Sequence, residues 1–329
     1  MTPPSLKMGS YKKKLAVQKE FAAELEGMCR SKCDLPPPEE EQRRLHEDEL
    51  VRLLLSKGVK GDSRSRTLYS RRLPLGCGPC LRGEGARMSV TTICTRDCFF
   101  CFNPKPRQDR IYVGDYPVAS AREAVQVVRR FGLKVVGITG GDPLTRLART
   151  IRIVRAIREE FSDDVRMQLY TNGDLLTEPV LLNLKKAGLS EIRIDIAANG
   201  YDLNPVRLAL KHFSDVVVET PVIPTDKEKL KRLILDLDGM KLPYLILHEL
   251  FFAKKTALPC LNRGCAPKSP CIAAAGKTPS PAAAGRLWSC CCSPWNGQNS
   301  SRLIIVPQAR RRAFIETALP IAWPGSAPN

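Results

Sequence analysis

Six apolar, strand-like runs recur between residues 88 and 250 of this 329-residue chain: Ser89–Ile93, Val135–Thr139, Val165–Tyr170, Ile192–Ile196, Val216–Thr220 and Tyr244–Leu250. Helical stripes separate several of them. Ala121, Val125, Val128 and Phe131 recur every three or four residues, as do Leu147, Ile151, Val154, Ile157 and Phe161, and then Leu230, Leu233, Ile234 and Leu237. Strands that alternate with helices pair in parallel, because a parallel neighbour needs a crossover long enough to hold a helix. The expected core is therefore an α/β sheet.

Two of the strands carry a polar second face. Arg193 and Asp195 alternate with Ile192, Ile194 and Ile196, while Arg166, Gln168 and Tyr170 alternate with Val165, Met167 and Leu169. A strand covered by helices on both sides is usually apolar throughout. An edge strand with one wet face would explain one such pattern. Two favour strands whose inner side lines a cavity, as in an incomplete barrel.

Thiols supply the chemical signal. Cys94-Thr-Arg-Asp-Cys98-Phe-Phe-Cys101 follows the first strand directly, with C-x3-C-x2-C spacing. Three thiolates in one loop can ligate three irons of a [4Fe–4S] cluster and leave the fourth iron open to a ligand. The rival is zinc: joined with Cys77-Gly-Pro-Cys80, the same thiols could build a C-x2-C…C-x3-C site in a basic binding module without catalytic activity.

The cysteine spacing, with aromatic Phe100 before its last member, resembles the radical S-adenosylmethionine (SAM) enzymes. Gly140-Gly141-Asp142-Pro143 resembles their Gly-Gly-Glu-Pro turn, and Tyr170-Thr171-Asn172-Gly173 ends the third strand in a family-like turn. The resemblance covers about residues 77–250 and implies a partial (β/α)6 barrel. It implies that Cys94, Cys98 and Cys101 hold a [4Fe–4S] cluster, and that Gly140, Gly141, Asp142, Asn172 and Asp195 serve the SAM site. In the family, the reduced cluster cleaves SAM to methionine and a 5′-deoxyadenosyl radical that abstracts hydrogen from a substrate. Asp142 stands where the family more often has Glu, which puts a side-chain role there in question. The pair Cys77 and Cys80 makes the chain most similar to uncharacterised proteins related to pyruvate formate-lyase-activating enzyme. That pair is a candidate second-metal site, with Cys29 and Cys33 as weak candidates for its other ligands. His248 and Glu249 at the end of the sixth strand read first as packing residues. An electron donor such as flavodoxin or ferredoxin is the implied redox partner, and the substrate class (partner protein, peptide or RNA) is open.

Charge narrows this less than its size suggests. The formal charge is +18, but residues 253–329 hold ten basic groups and one acid, a net +9 and half of the total. The body is only mildly basic, so nothing there selects nucleic acid. Three regions are expected: a helical N-terminal extension (1–76), the core (77–252), and an irregular tail (253–329) rich in Ala, Pro, Cys and Arg, read as a disordered basic segment or an out-of-frame extension. No apolar run approaches the ~18 residues of a membrane helix. The first thirty residues lack a signal-peptide apolar segment, so a cytoplasmic protein with reduced thiols and no membrane partner is expected.

Overall fold

The computed structural model describes residues 49–62, 67–70 and 72–250, apart from positions 102, 104, 115 and 249, together with a strand at 303–307. A helix over residues 49–56 leads to a hairpin of β1 (Val59–Asp62) and β2 (Thr67–Ser70), then to a short helix α1 (Cys77–Leu81). The core follows as β3 (Gly85–Thr91), β4 (Ile111–Val113), β5 (Tyr116–Val118), α2 (Ala121–Arg130), β6 (Val135–Gly140), α3 (Leu147–Phe161), β7 (Arg166–Thr171), α4 (Glu178–Lys186), β8 (Glu191–Asp195), α5 (Asn204–His212), β9 (Val216–Pro221), α6 (Lys227–Gly239) and β10 (Tyr244–His248). The last strand, β11, is Leu303–Pro307.

β3, β6, β7, β8, β9 and β10 lie side by side, every neighbouring pair parallel. This is the (β/α)6 arrangement expected from the alternation. Ala86, Met88, Val136, Ile138, Met167, Leu169, Ile192, Ile194, Val216, Val218, Leu245 and Leu247 point outward and pack in one cluster with the helices. The β4–β5 hairpin extends the β3 edge, and β11 adds antiparallel to β10 at the other edge.

The opposite face of the sheet is also buried, although no second helical layer covers it among the described residues. Gln168 and Arg193 are both 0% exposed there. α1 explains how. Cys80 lies against Gly85 of β3, and Cys77 packs with Val217 of β9 and with Tyr244 and Ile246 of β10. A five-residue helix is only about 7.5 Å long, whereas six flat strands would set β3 and β10 roughly 24 Å apart at ~4.8 Å per step. One short helix can touch both only if the sheet curls round it. The sheet is a partial barrel, and α1 is the plug at its N-terminal end.

Three expectations need correction. The first strand starts at Gly85, before its apolar run indicated, and ends at Thr91, because Ala86 and Met88 already face the helices. The region before residue 77 is not wholly helical: Gly58 adopts φ 79° and ends the helix, and the β1–β2 hairpin follows. The tail contributes β11: Ile304, Ile305 and Val306 are β-branched residues of the kind enriched in strands, and the segment pairs antiparallel with β10. Cys29, Cys33, Glu249 and the rest of the tail lie outside the described residues.

Candidate functional site: a cysteine loop at the mouth of the barrel

Three turns at the C-terminal ends of β3, β6 and β7 build the site, which is where a parallel β/α sheet gathers function. The loop after β3 carries Cys94, Cys98 and Cys101, all partly exposed. Two glycines seat it. A Cβ on Gly140 would lie 1.9 Å from the Thr91 carbonyl oxygen, and one on Gly141 would lie 2.0 Å from that of Ile93. Gly140 also has φ 131°, which a side chain would strain. The approach is used for hydrogen bonds: Gly141 N–H donates to Thr91 O at 2.7 Å and Asp142 N–H to Ile93 O at 2.8 Å. The Gly140 carbonyl accepts from the Asn103 amide beyond the last cysteine. These glycines therefore hold the cysteine loop against the sheet.

Asp142 is fully buried, and its carboxylate spans two turns. It accepts from Leu144 N–H at 2.9 Å, from the Thr171 hydroxyl at 2.7 Å and from Asn172 N–H at 3.1 Å. Burial pushes its carboxyl upward while these three donors oppose the shift. The shorter arm of Asp is enough to lock the β6 turn to the β7 turn.

The β7 turn then grips the cysteines. Asn172 Nδ2 donates to Thr95 Oγ1 at 2.8 Å and lies 3.6 Å from Cys94 Sγ. Asp174 takes a two-pronged contact from Arg96, at 2.7 Å on each oxygen, and accepts from Thr95 Oγ1 at 2.8 Å. Arg96 holds the Asp174 carboxyl below its ordinary range. Farther along, Asp109 binds Arg146 and Arg149, which hold its carboxyl down at about 2.

Cys98 turns toward the loop that follows β8, its Sγ 4.0 Å from the Ala198 carbonyl oxygen. Burial pushes its thiol up to about 12, with the nearby Asp195 carboxylate and the other two cysteines adding to the shift. A bound cation reverses that tendency, since metal ligation deprotonates a thiol outright. Asp195, at the end of β8, accepts from Ala198 N–H at 3.4 Å. Burial raises its carboxyl to about 7, with His248 pulling it down. Asp195 stands in register with Glu219 of β9, and Glu219 meets His248 Nε2 at 3.0 Å. Below them Arg193 donates to Glu191 at 2.6 Å, to Glu219 at 2.5 Å and to Cys77 Sγ at 3.3 Å, and lies 5.3 Å from the Tyr170 ring centre. An ionic column thus fills the lower barrel and reaches the mouth beside Cys98.

The residues singled out in the sequence divide accordingly. Cys94, Gly140, Gly141, Asp142 and Asn172 converge on one loop, and Asp195 lies near Cys98. Cys77 and Cys80 do not join them. They sit at the beginning of β3 while the cysteine loop follows its end, and a seven-residue strand spans roughly 20 Å. The combined zinc site is therefore not formed. Sequence reasoning passed over Glu219, Thr95, Arg96 and Asp174. Glu219 did carry a signal: it is the one acid in the run Val-Val-Val-Glu-Thr.

The three loop thiols act on one another electrostatically, and three thiols in one short loop are a donor set that fits a [4Fe–4S] cluster with its fourth iron left open. Residues 88–228 match the family model described as the Radical SAM superfamily. The chain carries a radical SAM domain.

This radical SAM domain has curated relatives. One, from Methanocaldococcus jannaschii, is named provisionally as a glycyl-radical enzyme activating enzyme; it is 32% identical over 209 residues, 60% of this chain and 55% of that one. Another, from Saccharolobus solfataricus, is named provisionally as a GTP 3′,8-cyclase and is 33% identical over 119 residues, 36% of each chain. The chain spans about half the length of the first relative and a smaller share of the second. Among solved structures, coproporphyrinogen III oxidase from Escherichia coli, a radical SAM enzyme, matches 58% of this chain and 51% of its own at TM-score 0.39 and 13% identity. A maturase of the [FeFe]-hydrogenase matches 78% and 65% at TM-score 0.40 and 11% identity. Likeness at that level says nothing of chemistry. Among the described residues no helix is long and apolar enough to cross a membrane.

Proposed function

We propose that this protein is a radical SAM enzyme whose Cys94, Cys98 and Cys101 hold a [4Fe–4S] cluster, and that it activates a partner protein by forming a glycyl radical on it. The observation that carries the reading is the convergence of the three turns on the cysteine loop, since the bonded residues Asp142 and Asn172 lie 30 positions apart in the chain, and Cys94 and Asn172 lie 78 apart. The relative in M. jannaschii supports a protein substrate. When bound, the cluster would supply one electron for the reductive cleavage of SAM to a 5′-deoxyadenosyl radical.

The chain's own residues supply placement and exclusion. Gly140, Gly141 and Asp142 fix the loop, and the Phe99–Phe100 pair with Ile223 and Ala197 forms an apolar wall beside it. Asp195, Glu219 and His248 give the mouth polar groups that can bind and orient what enters. The ionic column around Arg193 closes the lower barrel, so a partner loop would have to enter from the mouth. A flavodoxin- or ferredoxin-like donor is the expected source of the electron.

Anaerobic reconstitution tests the reading. About four irons per chain and formation of 5′-deoxyadenosine from SAM under strong reductant are expected, both lost in Cys98→Ala. A zinc-loaded protein that leaves SAM intact would sink it. Activation would show itself as a stable carbon radical, detected by electron paramagnetic resonance (EPR), on a glycyl-radical enzyme from the same source.

A further inference from the structure

We infer that Asn172 is a positioning residue for the cluster, donating a hydrogen bond to the sulfur of Cys94 and raising the cluster's reduction potential. The inference rests on the proposed cluster and assigns Asn172 a role other than contact with SAM.

An Asn side chain can be flipped, so its orientation has to be read from its partners. The Asp174 backbone N–H lies 2.9 Å from one end of the Asn172 amide. A backbone N–H can only donate, so that end is the oxygen. The NH2 group must then face Thr95 and Cys94. The Thr95 hydroxyl spends its own proton on Asp174 Oδ2 at 2.8 Å, which leaves its lone pair to accept one N–H of Asn172 at 2.8 Å. The second N–H is directed at Cys94 Sγ, 3.6 Å from the amide nitrogen. No other assignment satisfies all four groups.

The amide is also held still. Asn172 is 6% exposed, and its backbone N–H is anchored on Asp142 at 3.1 Å. Gly173 at φ 87° turns the chain so that Asp174 can close back on the Asn172 side chain. Cys94 receives a second donor, the Arg96 backbone N–H at 3.5 Å. Cys98 stands instead beside the Asp195 carboxylate. The two sulfurs are thus electronically unequal.

Hydrogen bonds to ligand sulfurs draw negative charge off a cluster and favour its reduced form, which is one of the ways a protein sets the potential. Removing the Asn172 donor should therefore make the cluster harder to reduce while leaving its three ligands in place.

The test uses the full chain, reconstituted anaerobically, with iron content, potential by EPR-monitored redox titration, and exchangeable-proton couplings of the reduced cluster as readouts. Asn172→Ala removes the donor. Asn172→Asp keeps the oxygen that accepts from Asp174 and loses the N–H, so it preserves the turn if the alanine variant fails to load. Expected is undiminished iron, loss of one exchangeable-proton coupling, and a reduction equilibrium less favourable by about tenfold, about 59 mV for one electron. Unchanged potential and couplings in a variant with full iron would overturn the inference. So would failure of Asn172→Asp to hold iron, which would make Asn172 a structural residue alone. If the wild-type chain itself holds no cluster, the proposed function fails first, and the two failures are told apart.

Discussion

The guanidinium of Arg193, wholly buried inside the barrel, donates to the sulfur of Cys77 at 3.3 Å. This contact ties the middle of β8 to the plug helix, and Glu191 and Glu219 complete the shell around the charge. Burial works against that charge, yet the surrounding anionic groups hold the guanidinium well above its ordinary value. Breaking a buried ion pair from one side leaves the partner uncompensated, at about 3–5 kcal/mol. Arg193→Met is therefore expected to lower unfolding free energy by that order in urea titration. A loss below about 1 kcal/mol would show that water already reaches the column.

The glycine seat makes a sharper claim. Gly141→Ala puts a methyl group where the Ile93 carbonyl now lies, and the atoms it meets are backbone, which yields less readily than a side chain. The loop must shift, and the expected outcome is a protein that folds with less than half of the wild-type iron and about 2 kcal/mol less stability. Full iron loading in this variant would show that the close approach is not needed.

Cys80→Ala separates the two cysteine sets. The residue is buried against Gly85 at the N-terminal end of the barrel, far from the loop. Iron per chain should stay at the wild-type value, while stability falls by about 1–2 kcal/mol for the small cavity. Iron loss comparable to that of Cys98→Ala would place Cys80 among the cluster ligands after all.

Asp109 offers a test by pH. Its carboxyl is held at about 2 by Arg146 and Arg149, below the ordinary 3.8. A carboxyl depressed on folding stabilises the fold above its unfolded value and loses that contribution as pH falls from about 4 towards 2. The side chain is 35% exposed, so solvent screening reduces the effect to roughly 1 kcal/mol. Asp109→Asn should be less stable than wild type by that amount at pH 7, and the difference should close near pH 2. A difference that persists undiminished at low pH would assign it to packing.

The sheet and its chemistry were legible in the sequence for different reasons. All six parallel strands were marked by apolar runs, and the inner face by Arg193 and Gln168, because β-strand alternation is local. Cys94, Cys98 and Cys101 declared themselves by spacing. What stayed hidden was non-local: that Gly140 and Gly141 serve the cysteine loop, or that Asp142 reaches Thr171, depends on which strands become neighbours. Arg96 and Asp174 are 78 positions apart and carry no local signal of their pairing, which depends on the meeting of the β3 and β7 turns. The hairpin before α1 and the strand Leu303–Pro307 were missed for a related cause, since regional composition hid short runs that gain order only by joining a sheet edge.

The plug helix also bears on where this fold can be cut. The family match begins at residue 88, after α1 has ended. A fragment started there would keep every cysteine of the loop and all six parallel strands but the first residues of β3. It would nonetheless open the underside of the barrel, letting solvent reach Arg193, Gln168 and Tyr244 and leaving Val217 and Ile246 without cover. The smallest piece that can shelter its own interior therefore has to start upstream of Gly76, and expression boundaries drawn from family similarity alone would fall on the wrong side of it.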